Sequence, residues 1–268
     1  MTQNGTSIHL LGHYTASIAM VRMDAGDVAS MFASTAGGPC APSCLPRRLS
    51  LGQPGGATAE RYPVLFGFGR HDRVQLAGFE WLPIFPMRYQ EMFIGVPGLR
   101  LDDDRTGPDG YHYLPRLYLD RFLPTLGGNL LWGLTKRLAR LASADDNHDV
   151  TFEVTSLVRK RKYCKLRGAP RGPFEVPSNL PELDPLRHLL DELVVSRLCF
   201  QQGPFALSDF KWHWQDAKVR PIDNALVTVC REFVPGARPG PYEAICAMEV
   251  DVNWSLFLPK IATRRPTP

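Results

Sequence analysis

Tyr111-His112-Tyr113-Leu114-Pro115-Arg116-Leu117-Tyr118-Leu119-Asp120 is followed closely by Gly127-Gly128-Asn129-Leu130-Leu131-Trp132-Gly133-Leu134-Thr135-Lys136-Arg137-Leu138. The first run alternates and reads as a β-strand, in which Pro115 marks an edge or a bulge because proline donates nothing to a ladder. Phe122 to Leu134 reads as a short helix, punctuated by glycine, that stops before Lys136. A lysine following Trp132, Gly133 and Leu134 enters an apolar, constricted place. Burial disfavours its ammonium form, and a second cation at Arg137 disfavours it again. The free amine so favoured can attack a ketone and form an imine. Read on their own, however, Lys136, Arg137 and Arg140 more readily make the solvated basic end of a helix, where cations suit the dipole.

Outward from this stretch, strand patterns dominate. His13 to Arg22, Tyr62 to His71, Gln90 to Val96, Ala206 to Trp214, Ala225 to Phe233 and Ala244 to Leu258 all read as strands, and Asp149 to Leu166 as strand, turn, strand. Asp24 can cap a short helix running to about Ser34. Asp184 to Leu198 has the best helical period, with Leu186, Leu189, Leu190, Leu193 and Val194 on one face and Pro185 in the first turn. The Pro/Gly-rich stretch 36–60 reads as a long surface loop carrying Cys40 and Cys44. Helices are few and no βαβ alternation occurs, so residues 1–268 read as one α+β domain on a large, mainly antiparallel sheet or barrel.

Several chemistries find no support. A net charge of +4 is too small and dispersed to imply a nucleic-acid partner. No run approaches the ~18 apolar residues of a membrane span. No secretory leader is apparent, and the thinly spread cysteines suit a reduced, cytoplasmic protein. Cys40 and Cys44 have no second pair at zinc-site spacing, and Asp102 to Asp104 lacks the spaced acceptors of a calcium loop, so no metal is expected. Gly67-Phe68-Gly69 is too short for a dinucleotide fingerprint, and no GxSxG or HExxH motif occurs.

The stretch Tyr111 to Leu138 resembles the acetoacetate decarboxylase-like superfamily, where a Tyr-Leu-Asp strand is followed by Gly-Arg-Glu, an aromatic-Gly step and Pro-Lys-Lys. Lys136 stands at that family's Schiff-base lysine and Arg137 at its second lysine. Tyr89-Gln90-Glu91, followed by the apolar Phe93 to Val96, resembles the strand that supplies an active-site glutamate. Ile18 to Asp24 resembles the family's first strand and its Arg-x-Asp turn. The departures are Asn129-Leu130 for the Arg-Glu pair, Thr135 for the proline, Gly67 for a second acidic residue, and Tyr14, beside His13, for an arginine that helps bind the substrate carboxylate.

What this resemblance implies is a cofactor-independent lyase that forms an imine with a β-keto acid on Lys136. Glu91 and Arg137 would complete the catalytic set, with Tyr14, Tyr113 and Trp132 against the substrate. It also suggests an oligomer. The same imine would serve an aldolase or dehydratase acting on a larger keto acid. A member that kept the pocket but lost the chemistry would be a small-ligand-binding protein.

Overall fold

The computed structural model describes residues 8–33, 49–51, 60–101, 110–145, 149–196 and 206–261. Most of stretch 36–60, including Cys40 and Cys44, and the run Asp102 to Asp104 lie outside them. Within that expected loop a short strand, β2 (Leu49–Leu51), pairs with β4 (Met87–Leu101). The other long strands are β1 (His9–Asp24), β3 (Arg61–Leu76), β5 (Tyr111–Leu119), β9 (Lys162–Pro170), β13 (Lys218–Val229) and β14 (Gly240–Phe257). Short strands complete the set: β6 (Lys136–Leu138), β7 (Arg140–Asp145), β8 (Val150–Thr155), β10 (Leu193–Ser196), β11 (Ala206–Ser208), β12 (Phe210–Trp212) and β15 (Lys260–Ile261). No described helix is long and apolar enough to cross a membrane.

All of these strands join one sheet in the order β15-β11-β10-β5-β4-β3-β1-β14-β13-β9-β8-β7, with β2, β6 and β12 paired off that path. The pairing is antiparallel except where β10 and β6 both lie parallel to β5. β12 pairs with β14 while β11, one residue earlier, pairs with β10. The chain thus bridges two distant parts of the sheet across Asp209, and the strands from β5 through β4, β3 and β1 to β14 curl around an enclosed core. The expected single α+β domain on a curved, mainly antiparallel sheet is what the structure shows.

Strand alternation sends side chains to two cores on opposite faces. Met92 and Ile94 of β4 enter one, with Tyr62, Phe66 and Phe68. Tyr89 and Phe93 enter the other, with Tyr14, Ile18, Leu117, Trp132 and Trp254. The second core contains the cavity described below. Along β5 the alternation breaks: Ile94 pairs with Arg116, but Val96 pairs with Tyr113, so β5 spends an extra residue there. Pro115 sits in this bulge, where no ladder donor is missed.

Helix α1 (Ala25–Ala33) starts as expected, because the Asp24 carboxylate accepts from the N–H groups of Gly26 and Asp27 at 2.9 and 3.1 Å. Helix α2 (Phe122–Leu131) fills the span before Lys136. The helix expected over Asp184 to Leu198 is much shorter: α3 (Asp184–Leu190) ends early, and the β-branched Val194 and Val195 continue as β10 beside β5. Leu186, Leu189 and Leu190 do bury the expected leucine face.

Candidate active site

The turn after α2 determines where Lys136 goes. Gly133 has φ 62, a left-handed conformation that suits glycine, and it lets the chain reverse out of the helix. The N–H groups of Trp132 and Leu134 both return to the Gly128 carbonyl, at 3.3 and 3.1 Å. The Trp132 indole N–H donates to the Phe257 carbonyl at 3.0 Å and ties this turn to β14. Asn129 then clamps the lysine backbone from both sides. Its Oδ1 accepts from the Lys136 N–H at 2.7 Å, and its Nδ2 donates to the Lys136 carbonyl at 3.0 Å. Gly128 makes room for the side chain: a Cβ there would stand 2.4 Å from both Cδ and Cε of Lys136.

So held, Lys136 points into a cavity of about 460 Å³. Its Nζ lies 3.0 Å from Glu91 Oε2, a pair 45 positions apart in sequence, and both side chains are more than nine-tenths buried. His71 Nε2 stands 3.4 Å from the other Glu91 oxygen. The His71 ring is stacked between Tyr14 and Tyr89, at centroid distances of 4.1 and 4.6 Å, with Trp254 edge-on. The Tyr14 hydroxyl is buried with no hydrogen-bond partner among the described residues. Nearly everything else around the cavity is aliphatic or aromatic.

The electrostatics follow from this burial. Burial alone would push the Glu91 carboxyl up, but the Lys136 ammonium and His71 outweigh it and hold the group down at about 2. His71 is pushed below its ordinary value by burial, with Glu91 only partly resisting, so it is neutral near pH 7. Burial and then the Glu91 charge push the phenols of Tyr14 and Tyr89 well up. The site is thus an amine paired with a carboxylate, backed by a neutral imidazole, in a largely apolar chamber. Such a set can hold a nucleophile and exchange its proton with a fixed partner.

Of the residues singled out from sequence, Lys136, Glu91, Tyr14 and Trp132 all border the cavity. Two others do not. Tyr113 is buried in the opposite core, because the Pro115 bulge reverses the alternation between Leu117 and Tyr113. His112, not Tyr113, faces the cavity. Arg137 alternates away from Lys136 along β6, is exposed, and pairs in register with Tyr118. Its charge therefore acts on Arg116 on that outer side. Sequence reasoning also missed His71, His112, Gly128 and Asn129. Histidine spacing carried no signal for the first two. The signal for Asn129 lay in its seven-residue separation from Lys136, across a helix end.

No family model and no curated protein matches the chain. Solved structures do. The enduracididine biosynthesis enzyme MppR complexed with pyruvate superposes with TM-score 0.64 and 12% identity, over 95% of this chain and 90% of that one. Acetoacetate decarboxylase from Legionella pneumophila gives TM-score 0.64 and 12% identity, over 96% and 87%. An acetoacetate decarboxylase-like enzyme from Sphingomonas wittichii gives 0.63 and 10%, over 95% and 92%. These superpositions, over nearly the whole chain, show that it has the acetoacetate decarboxylase-like fold.

Proposed function

We propose that this chain is a Schiff-base lyase acting on a β-keto acid, with the imine formed on Lys136. The observation that carries this reading is the Lys136 Nζ, buried in an apolar cavity 3.0 Å from one carboxylate, with Gly128 leaving space for its approach. As substrate enters, Lys136 passes a proton to Glu91 and the free amine attacks the ketone carbon. The resulting carbinolamine loses water, and the iminium that forms takes up the electron pair released when the bond to the carboxylate carbon breaks. Carbon dioxide leaves, and an enamine remains. Protonation at carbon and hydrolysis then return the ketone and the lysine. Glu91, 3.0 Å from the nitrogen, serves both the first proton transfer and the later ones.

One observation also favours an aldolase or dehydratase on the same imine. Lys136 is the only Lys or Arg among the described residues bordering the cavity, so a substrate carboxylate finds no second cation there. Glu91, held as a carboxylate, is placed to remove a proton α to the iminium instead. MppR, which has the same fold, has been seen complexed with the condensation product of pyruvate and imidazole 4-carboxaldehyde, and this supports the second reading. Borohydride trapping with a panel of keto acids, read by peptide mass spectrometry, tests the shared step. The expected result is a reduced adduct on Lys136 that Lys136→Ala abolishes, and released carbon dioxide separates the lyase from the aldolase. A panel that leaves Lys136 unlabelled removes both readings in favour of a non-catalytic binding protein.

A further inference from the structure

The cavity is far larger and more apolar than a small keto acid needs. Among the described residues, the charged side chains bordering it are Glu91 and Lys136, and these pair with each other. Away from them the wall is built by residues such as Val74, Leu82, Phe85, Leu114, Phe210 and Leu256. A volume of about 460 Å³ is in the range of sites that enclose whole ligands of moderate size.

Helix α2 adds a second observation. A surface helix ordinarily buries its large apolar residues and exposes its polar ones. In α2 the buried residues are Thr125 and Gly128, while Leu123, Leu126 and Leu131 are 54, 41 and 54% exposed. The inner face is small because Lys136 passes against it. The same three leucines also border the cavity, as does Ile84, 52% exposed on the β3–β4 connection. The apolar wall therefore runs without a polar break from the lysine out to solvent. Exposed apolar surface continuous with a cavity marks a ligand path.

We propose that the substrate is a carbonyl compound bearing an extended hydrocarbon arm. The carbonyl meets Lys136 and the arm lies along α2 and the β3–β4 connection towards the mouth. This inference rests on the Schiff-base role of Lys136 and names the substrate class of that site.

The test is a series of 3-oxo acids, from 3-oxobutanoate to 3-oxodecanoate, trapped on the full chain with borohydride. The concentration giving half-labelling of Lys136 is expected to fall about fourfold per added methylene until the cavity is full, the equivalent of ~0.8 kcal/mol per buried CH₂. Leu126→Ser should flatten that dependence. Labelling that ignores chain length, or weakens with it, overturns the proposal and leaves the Schiff-base reading standing. If no member labels Lys136, the Schiff-base reading fails, and calorimetry with the same series decides the rest. Affinity rising with length then keeps the arm site, and affinity independent of length removes it. If Leu126→Ser changes the oligomeric state while the chain-length dependence persists, the exposed leucines are an interface between copies and the proposal falls.

Discussion

Gly128→Ala separates stability from chemistry more sharply than any other substitution in the site. The added Cβ would lie 2.4 Å from Lys136 Cδ and Cε, well inside any normal contact, but 3.3 Å from Nζ. What it strikes is the outer part of a flexible side chain, which can rotate away, rather than a fixed backbone. Replacing glycine by alanine within a helix gains about 1 kcal/mol. Crowding a packed site costs about 1–3 kcal/mol. The net change in stability is therefore within about 2 kcal/mol, or under ~8 °C in Tm for a domain of this size. The displaced amine, by contrast, no longer meets Glu91 at 3.0 Å, and a misplacement of about 1 Å typically costs ~100-fold in rate. Pseudo-first-order labelling of Lys136 by borohydride in the presence of a keto acid, followed by mass spectrometry, should slow by about that factor in a variant whose melting curve stays close to the parent's. Gly127→Ala is the matched control for helix propensity, since a Cβ there meets nothing within 4 Å. Labelling of Gly128→Ala at the parental rate would refute the idea that this glycine clears the lysine's path.

Asn129→Ala removes both clamps on the Lys136 backbone and should cost about 1–3 kcal/mol in urea unfolding, with slower labelling that Asn129→Asp only partly restores. Arg137→Ala should change labelling less than about threefold, since Arg137 lies on the outer side of β6; a large shift in the pH dependence of labelling would contradict that placement. Burial pushes His112 from 6.5 to about 4, so below pH 6.5 the unfolded chain takes up a proton that the folded chain refuses. Stability should fall by about 3 kcal/mol from this group as pH drops from 6.5 to 4, and His112→Leu should remove that part of the decline in urea titrations at pH 7, 5 and 4. Glu91 acts in a lower window: its carboxyl is held at about 2 against 4.5, so its stabilisation is complete above pH 4.5 and disappears as pH falls towards 2.

How much of this was legible in the sequence depended on whether a signal was local. Strand positions were legible because period-two alternation needs only neighbouring residues, and β1, β3, β4 and β14 extend the expected segments at both ends or nearly so. The Asp24 cap was legible for the same reason. The α3 region was not. Leu193 and Val194 fit the helical period of Leu186, Leu189 and Leu190, but a vacant parallel edge on β5 outweighed that period, a fact visible only once the sheet is assembled. His71 was illegible as well, since its place beside Glu91 depends on the β3–β4 register that sets it opposite Tyr89.

The Pro115 bulge is the most instructive case, because it decides which side chains the cavity presents. Counting by twos back from Leu117, which pairs with Lys136, assigns Tyr113 to the cavity and His112 to the other core. One extra residue in β5 reverses the assignment. The proline was visible in the sequence, and so was its meaning as an edge or a bulge. A bulge shifts the phase, whereas an edge position leaves it intact, and residue types alone do not distinguish the two. The other side of β5 shows why the bulge is tolerated: β10 pairs with Tyr111 to Tyr113 and β6 with Leu117 to Leu119, which leaves Leu114, Pro115 and Arg116 between two separate parallel partners. Proline therefore breaks no ladder on that side, and the strand turns its phase where no neighbour objects. The consequence is chemical. A tyrosine hydroxyl that could have hydrogen-bonded a substrate carboxylate is carried into the far core, and the cavity wall gains instead a histidine that burial keeps neutral down to about pH 4. Together with the outward turn of Arg137, this leaves Lys136 as the only Lys or Arg bordering the chamber among the described residues. The same local irregularity that defeats residue counting thus adds to the apolar wall on which the proposed hydrocarbon arm would lie.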